Sequence, residues 1–283
     1  MGKQLQCKAV KLMQNTKHQP LGIFDSGVGG LTVARAVMQQ LPNESIIYFG
    51  DTAHLPYGEK SALTIREYVK KIVDFLLSQN VKLILVACNS ASVATYQLLQ
   101  NYIAGRAIII DVIDPVVNYL KEHYFAQRVG FIGTKLTVES QVYQQRMAKL
   151  TPQIDFRALA TPLFVPIIEQ GVLQQELDGV LTEYLTHSKL QNIDALVLGC
   201  THYPVIKKNI ANFYNNKIPI IDVAEIVARV AKQHLVSHEI IATAQPQHNF
   251  YVSEHKERFV QGARLFFGEA VEVQVMDIFS HSN

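Results

Sequence analysis

Segments of this 283-residue chain repeat each other at a nearly constant offset, and the repeat constrains the fold more than any other feature. VKLILVACNSAS carries Cys88 and IDALVLGCTHYP carries Cys200; each cysteine follows an apolar run of strand length and precedes small polar residues. Further on, AIIIDVIDPVV (107–117) is echoed by IPIIDVAEIVA (218–228). The cysteines stand 200 − 88 = 112 positions apart, and Asp111 and Asp222 stand 222 − 111 = 111 apart. PLGIFDS (20–26) matches RVGFIGT (128–134), with Gly22 and Gly130 separated by 130 − 22 = 108. Each half opens on a glycine-bearing strand, later reaches a cysteine at a strand end, and continues into an IIDV strand. A duplicated α/β unit that brings two thiols to one central cleft accounts for all three echoes. The plainer alternative is that similar buried strands look alike.

The remaining apolar runs fit the same plan. Strands are expected near 21–24, 45–49, 83–87, 108–112, 129–133, 154–159, 194–199 and 218–222, with two more at 250–253 and 271–276. Helical patterns fall at 31–41, 61–79, 91–102, 137–149, 172–188, 223–236 and 255–267. Short apolar strands alternating with helices predict an α/β fold of doubly wound, mainly parallel sheets covered on both faces. In such sheets ligands bind at the carboxyl ends of the strands. Asp25, Cys88, Thr134 and Cys200 all stand just past such ends, which gathers them into one expected site.

Composition narrows the function classes. Apolar residues make up 48% and charged residues 18%, enough for a sizeable core, and the net charge of +2 favours neither nucleic acid nor an anionic membrane. No apolar run is long enough to span a bilayer. The basic leader, residues 1–20, lacks the apolar stretch of a signal peptide, so a cytoplasmic location is expected. Three cysteines suit that compartment and form no disulfide framework.

The motifs then carry the chemistry. DSGVGGLTVARAV (25–37) reads as a strand, a glycine-rich turn and a helix start, suited to an anion, yet it is neither a dinucleotide fingerprint nor a phosphate-binding P-loop. Asp25 is either a helix cap or a partner for a thiol. Cys88 in ACNSAS lies beside an amide and hydroxyls. Cys200, Thr201 and His202 form a compact group in which the imidazole can share a proton with the thiol. Glu169 leaves the apolar stretch PLFVPIIEQG (162–171) as an exposed acid or as a partner for His202. Three alternatives stand beside a paired-thiol enzyme. One is a metal held by Cys88, Cys200 and His202, although no further zinc-type spacing is present. Another is a cysteine hydrolase using Cys200 and His202. The last is a two-domain ligand-binding protein.

Taken together, FDSGVGGLTV, PYG, ACNSAS, PLFVPIIE, LGCTHYP and FYVSEHKERFVQGARLFFG resemble the motifs of the glutamate racemase family, in order, over roughly residues 20–278. Single motifs are shared with aspartate racemase and its relatives. The resemblance implies two similar α/β domains related by a pseudo-twofold, with the active site in the cleft between them. With the crossings placed at the IIDV echoes, 1–112 plus 223–283 form the first domain and 113–222 the second. It implies that Cys88 and Cys200 exchange the α-proton on opposite faces of glutamate, with Asp25 assisting Cys88, and Glu169 and His202 assisting Cys200. Asp25, Ser26, Tyr57, Gly58, Asn89, Ser90, Thr134, Thr201 and His202 would hold the substrate. No cofactor and no metal are implied, and D-glutamate would supply peptidoglycan synthesis. As partners the resemblance implies L- and D-glutamate, a UDP-linked muramoyl-alanine activator in members with N-terminal extensions, and admits a homodimer. Ser90 stands where the family often has Thr, His54 where it has Arg or Asn, and Asp114 where it has Glu.

Overall fold

The computed structural model describes residues 16–171 and 174–280. The expectations for residues 1–15 of the leader lie outside the described residues. No helix among the described residues is long and apolar enough to cross a membrane.

Ten strands are formed: β1 (Leu21–Asp25), β2 (Ile46–Gly50), β3 (Leu83–Val86), β4 (Ile108–Ile110), β5 (Arg128–Gly133), β6 (Asp155–Ala160), β7 (Ala195–Gly199), β8 (Ile220–Asp222), β9 (His248–Val252) and β10 (Val273–Val275). They make two sheets, ordered β10-β9-β2-β1-β3-β4 and β6-β5-β7-β8. Every pairing between these strands is parallel. Within each half the first four strands take the same spatial order, second-first-third-fourth. The sequence echo is therefore a topological duplication: β1 corresponds to β5, β3 to β7 and β4 to β8.

The helices between them are α1 (Leu31–Gln40), α2 (Ala62–Ser78), α3 (Asn89–Thr95), α4 (Leu98–Ile103), α5 (Ile113–His123), α6 (Lys135–Glu139) and α7 (Val142–Leu150). They continue with α8 (Phe164–Glu169), α9 (Gln174–Leu185), α10 (Lys207–Phe213), α11 (Val223–Ser237) and α12 (Lys256–Phe266). Side chains along the first sheet alternate strictly between two cores, as the pleat requires. Ile23, Tyr48 and Leu85 face the layer containing α1, α5 and α11. Phe24, Phe49 and Val86 face the layer of α2, α3 and α4. The first of these cores continues unbroken into the second sheet through Val129, Phe131 and Val197, so it joins the halves.

The helices depart from the sequence expectation in several places. The helix expected at 91–102 breaks at Gln97, and that at 137–149 begins at Lys135 and breaks at Gln141; both glutamines sit in the left-handed region, at φ 65° and 56°. α5 carries a proline, which obscures it in the sequence. Pro115 lies in its first turn, where the missing N–H has no helical partner to lose. α8 likewise holds Pro166 in its first turn. The echoed aspartates act alike as well. Asp111 accepts from the Ile113 N–H at 2.8 Å and Asp222 from the Ala224 N–H at 2.9 Å, each opening the helix that follows.

Candidate active site

In both sheets the chain first steps from the first strand to one neighbour, then returns to the other side. The reversal leaves a crevice at the carboxyl ends of the first and third strands, the position where doubly wound sheets bind ligands. Asp25 and Ser26 end β1, Cys88 follows β3, Thr134 follows β5 and Cys200 follows β7. Duplication thus delivers one thiol from each half to equivalent places, and the two crevices open on each other.

A cavity of about 590 Å³ lies there, lined by Ser26, Tyr57, Gly58, Cys88, Asn89, Ser90, Thr134, Glu169, Cys200, Thr201 and His202 among others. The two sulfur atoms therefore share one space, and both cysteines are nearly buried, at 6% and 8% exposure. A larger cavity of about 770 Å³ adjoins it behind Leu55 and Glu169. The convergent polar groups and both thiols lie in the smaller one. The metal alternative required Cys88, Cys200 and His202 around one ion; among the described residues no such group of three is formed. Lys135 lies on the cavity rim with its side chain 64% exposed and 3.9 Å from Glu139.

The surroundings of the two thiols differ. Cys88 caps α3: its sulfur accepts from the Ala91 N–H at 3.4 Å and lies 3.8 Å from the Ser26 hydroxyl. Burial and the nearby Asp25 charge push its thiol up to about 12 against the lowering effect of those two hydrogen bonds, so it is held protonated at neutral pH. The Cys200 sulfur faces His202 Nδ1 at 3.8 Å, and His202 Nε2 meets Glu169 Oε1 at 3.0 Å. Burial would lower the imidazole, but hydrogen bonds and charge from Cys200 and Glu169 outweigh it and raise His202 to about 10. A cationic imidazole between a carboxylate and a sulfur is a partner for a thiolate.

Asp25 alone among the twelve site residues is absent from the cavity lining; it is wholly buried behind it. One carboxylate oxygen accepts from the Gly27 N–H at 3.0 Å and the other from the Thr201 hydroxyl at 3.2 Å. Burial raises its pKa, opposed chiefly by the charge of His202. Asp25 reaches Cys88 through charge and reaches the cavity through Thr201.

The glycine-rich turn also differs from its expected use as an anion cradle. Its Gly27 N–H is taken by Asp25, and the Gly27 carbonyl accepts from the Tyr48 hydroxyl at 2.7 Å. Gly29 permits the halves to meet: a Cβ there would stand 2.5 Å from both His202 Nδ1 and Thr201 Oγ1. The Thr32 hydroxyl on α1 lies 2.9 Å from the Gly29 carbonyl and 3.2 Å from the Thr201 carbonyl, between the two. Across the cavity, Ser90, Thr134 and Thr137 form a hydroxyl chain with oxygens 3.0 and 2.9 Å apart.

Tyr57 lines the cavity, but its hydroxyl donates at 2.5 Å to Asp51, a fully buried carboxylate that sequence reasoning missed. Asp51 also accepts from Ser253 at 2.9 Å and lies 2.8 Å from His54 Nδ1. His54 stacks on Tyr68 and meets Phe279 edge-on, so the loop carrying Tyr57 and Gly58 is tied to α2 and to the end of the described chain. Asp51 directly follows β2, the same kind of position that marked Asp25, and that signal was available in the sequence. Tyr143, which touches Asn89 from the other half, carried no such signal.

Comparison with known proteins gives a consistent result. The Asp/Glu/hydantoin racemase family matches residues 31–231. The glutamate racemase of Syntrophus aciditrophicus is 39% identical over 258 residues, covering 89% of this chain and 94% of the relative. The crystal structure of the Francisella tularensis glutamate racemase, in complex with D-glutamate, superposes with a TM-score of 0.86 at 35% identity, covering 94% of this chain and all of that one. The Escherichia coli glutamate racemase, solved with L-glutamate and the activator UDP-MurNAc-ala, matches over 90% of this chain and 97% of its own, with a TM-score of 0.74 at 24% identity, a likeness of fold.

Proposed function

The chain belongs to the Asp/Glu/hydantoin racemase family, isomerases acting on amino acids, and on that premise we propose that it interconverts L- and D-glutamate by a two-base mechanism with Cys88 and Cys200. The observation that carries this reading is that both thiols leave equivalent strands, β3 and β7, and border one cavity.

Racemisation breaks the Cα–H bond on one face and returns a proton to the opposite face. A single base cannot easily serve both. With one sulfur on each side, a thiolate takes the proton and becomes a thiol, the electron pair stays on Cα, and the opposite thiol delivers its own proton there. The reverse reaction exchanges the roles. The resting arrangement supports such a division of labour, with Cys88 held as a thiol and Cys200 facing a cationic His202. For Cys88 to act as the base, a cation must offset burial and the Asp25 charge, and the substrate's α-ammonium supplies one.

General acid–base catalysis contributes about a hundredfold to ten-thousandfold. The remainder comes from orientation in a closed cavity and from donors aimed at the α-carboxylate, which takes up charge as Cα loses its proton. Ser26, Asn89, Ser90, Thr134 and Thr201 supply uncharged donors. Two carboxylates on one small substrate suit a cavity lined by these uncharged polar groups. The division into 1–112 with 223–283 and 113–222 belongs to this proposal; its support is that β1–β4, β9 and β10 form one sheet and β5–β8 the other. Supply of D-glutamate to peptidoglycan synthesis, and activation by a UDP-linked muramoyl-alanine, belong to the same proposal.

Circular dichroism of purified protein with L-glutamate and, separately, L-aspartate tests the substrate. Loss of ellipticity with glutamate and a much slower loss with aspartate are expected; the reverse order would overturn the assignment. In heavy water, early solvent deuterium should appear at Cα mainly in newly formed product. Equal early labelling of recovered substrate would point to one shared base.

A further inference from the structure

Asn89 borders the cavity beside Cys88, and its amide has two unlike ends, an acceptor oxygen and a donor NH2. Only the NH2 end can meet a substrate carboxylate. Tyr143, on α7 of the other half, has its ring wholly buried and its hydroxyl 2.7 Å from Asn89 Oδ1. The same hydroxyl is 3.4 Å from the Val112 carbonyl, next to the crossing between the halves. A hydroxyl has one proton to give. The O–H···O range is about 2.5–3.0 Å, so the proton belongs to Asn89 and not to Val112. The flipped amide would require Tyr143 to spend that proton on Val112 at a poor distance.

The tyrosine is itself fixed. Its ring packs on Phe131 with centroids 4.6 Å apart. The Phe131 ring occupies the space a side chain would need at Gly199, where a Cβ would lie 2.0 Å from Phe131 Cζ. One aromatic pair thus packs against β7, the strand that leads to Cys200, and reaches the amide that follows Cys88.

We propose that Tyr143 is a positioning residue: by occupying Asn89 Oδ1 it turns the Asn89 NH2 toward the cavity, where it donates to a carboxylate of the substrate. The inference rests on the racemase reading and adds a residue from outside the cavity lining to it. Burial also pushes the Tyr143 phenol well above its ordinary range, so the donor persists at any working pH.

The test is steady-state kinetics of Tyr143→Phe, Asn89→Ala and the double variant with both glutamate enantiomers, alongside urea unfolding. Tyr143→Phe should raise KM about tenfold in both directions, ~1.4 kcal/mol, with kcat within about threefold of wild type. The double variant should be no worse than Asn89→Ala, because the tyrosine acts through that amide. A wild-type KM in Tyr143→Phe, or a full tenfold rise added on top of Asn89→Ala, would overturn the proposal. Asn89→Asp decides the matter if Tyr143→Phe does not fold. It keeps an acceptor for Tyr143 but loses the NH2, so its KM should exceed that of Asn89→Ala; a KM at or below wild type would mean that the oxygen end faces the substrate. If the wild type fails to racemise glutamate, the functional reading falls; if it succeeds and these variants disagree, only the role of Tyr143 falls.

Discussion

The Cys88 and Cys200 half-sites have the same backbone plan and opposite electrostatics. Both cysteines follow the third strand of a second-first-third-fourth sheet, and both face the same cavity. Around Cys88, burial and the anion Asp25 hold the thiol protonated against the opposing hydrogen bonds from the Ala91 N–H and the Ser26 hydroxyl. Around Cys200 lies a histidine held cationic by Glu169 and by the sulfur itself. Duplication explains how two thiols reach one cavity. Divergence of the neighbours gives the two thiols unlike electrostatic surroundings, which two identical half-sites could not do.

The largest expected effect tests whether the halves are equally necessary. Cys88→Ala and Cys200→Ala should each lower racemisation from either enantiomer by more than about a thousandfold, measured by polarimetry. In heavy water, each variant should still exchange the Cα hydrogen of one enantiomer only, and the two variants should select opposite enantiomers. Either variant racemising within tenfold of wild type would break the comparison outright.

The neighbours should separate next. His202→Asn removes the cation beside Cys200 and should reduce kcat by about a hundredfold, whereas Asp25→Asn, acting through charge and Thr201, should cost about tenfold. Enantiomers have equal free energy and share one transition state, so kcat/KM must stay equal in the two directions in every variant. Asymmetry between the half-sites can therefore show only as linked changes in kcat and KM, differing between L- and D-glutamate. Identical kcat and KM in both directions for both variants would mean that the electrostatic difference has no kinetic consequence.

Gly29→Ala sharpens the same contrast from the packing side. Its methyl group would collide with His202 and Thr201, so a loss of about ten- to a hundredfold in kcat is expected from displacement of the imidazole. Gly179→Ala, with open space around the new Cβ in helix α9, should leave kinetics unchanged and add about 0.5–1 kcal/mol of stability. Equal activity in the two alanine variants would remove the argument for close apposition at Gly29.

The last contrast concerns stability. A folded pKa of about 10 for His202, above its ordinary 6.5, means the folded state binds a proton that the unfolded chain releases. The contribution is complete below about pH 6.5 and disappears as pH rises toward 10. Urea unfolding between pH 6 and 10 should show this decline, and His202→Asn should flatten it. An unchanged slope in the variant would assign the decline to other groups.

Much of the fold and half of the site chemistry are legible in the residues alone. The β-strand order could not be read, but strand positions were found to within a few residues because buried parallel strands are short apolar runs bounded by turns. Cysteines at strand ends, repeated at a fixed offset, announced a shared site because the carboxyl edge of a doubly wound sheet is where ligands sit. Asp51 escaped notice because a lone acid in a Gly/Pro-punctuated loop looks solvated; only folding buries it under Tyr57, His54 and Ser253. The glycines of the turn suggested an anion site, and became contact surfaces once the halves closed.

The sequence by itself determined the duplicated α/β plan and the residue types available for proton transfer, because strand periodicity and turn chemistry are local. Tertiary structure alone decided that Asp25 lies behind the cavity wall, that His202 is charged between Cys200 and Glu169, and that Tyr143 orients Asn89. Each of those depends on burial and on at least one partner more than thirty positions away in the chain, and the desolvation and hydrogen bonding that set charge and orientation exist only in the folded molecule.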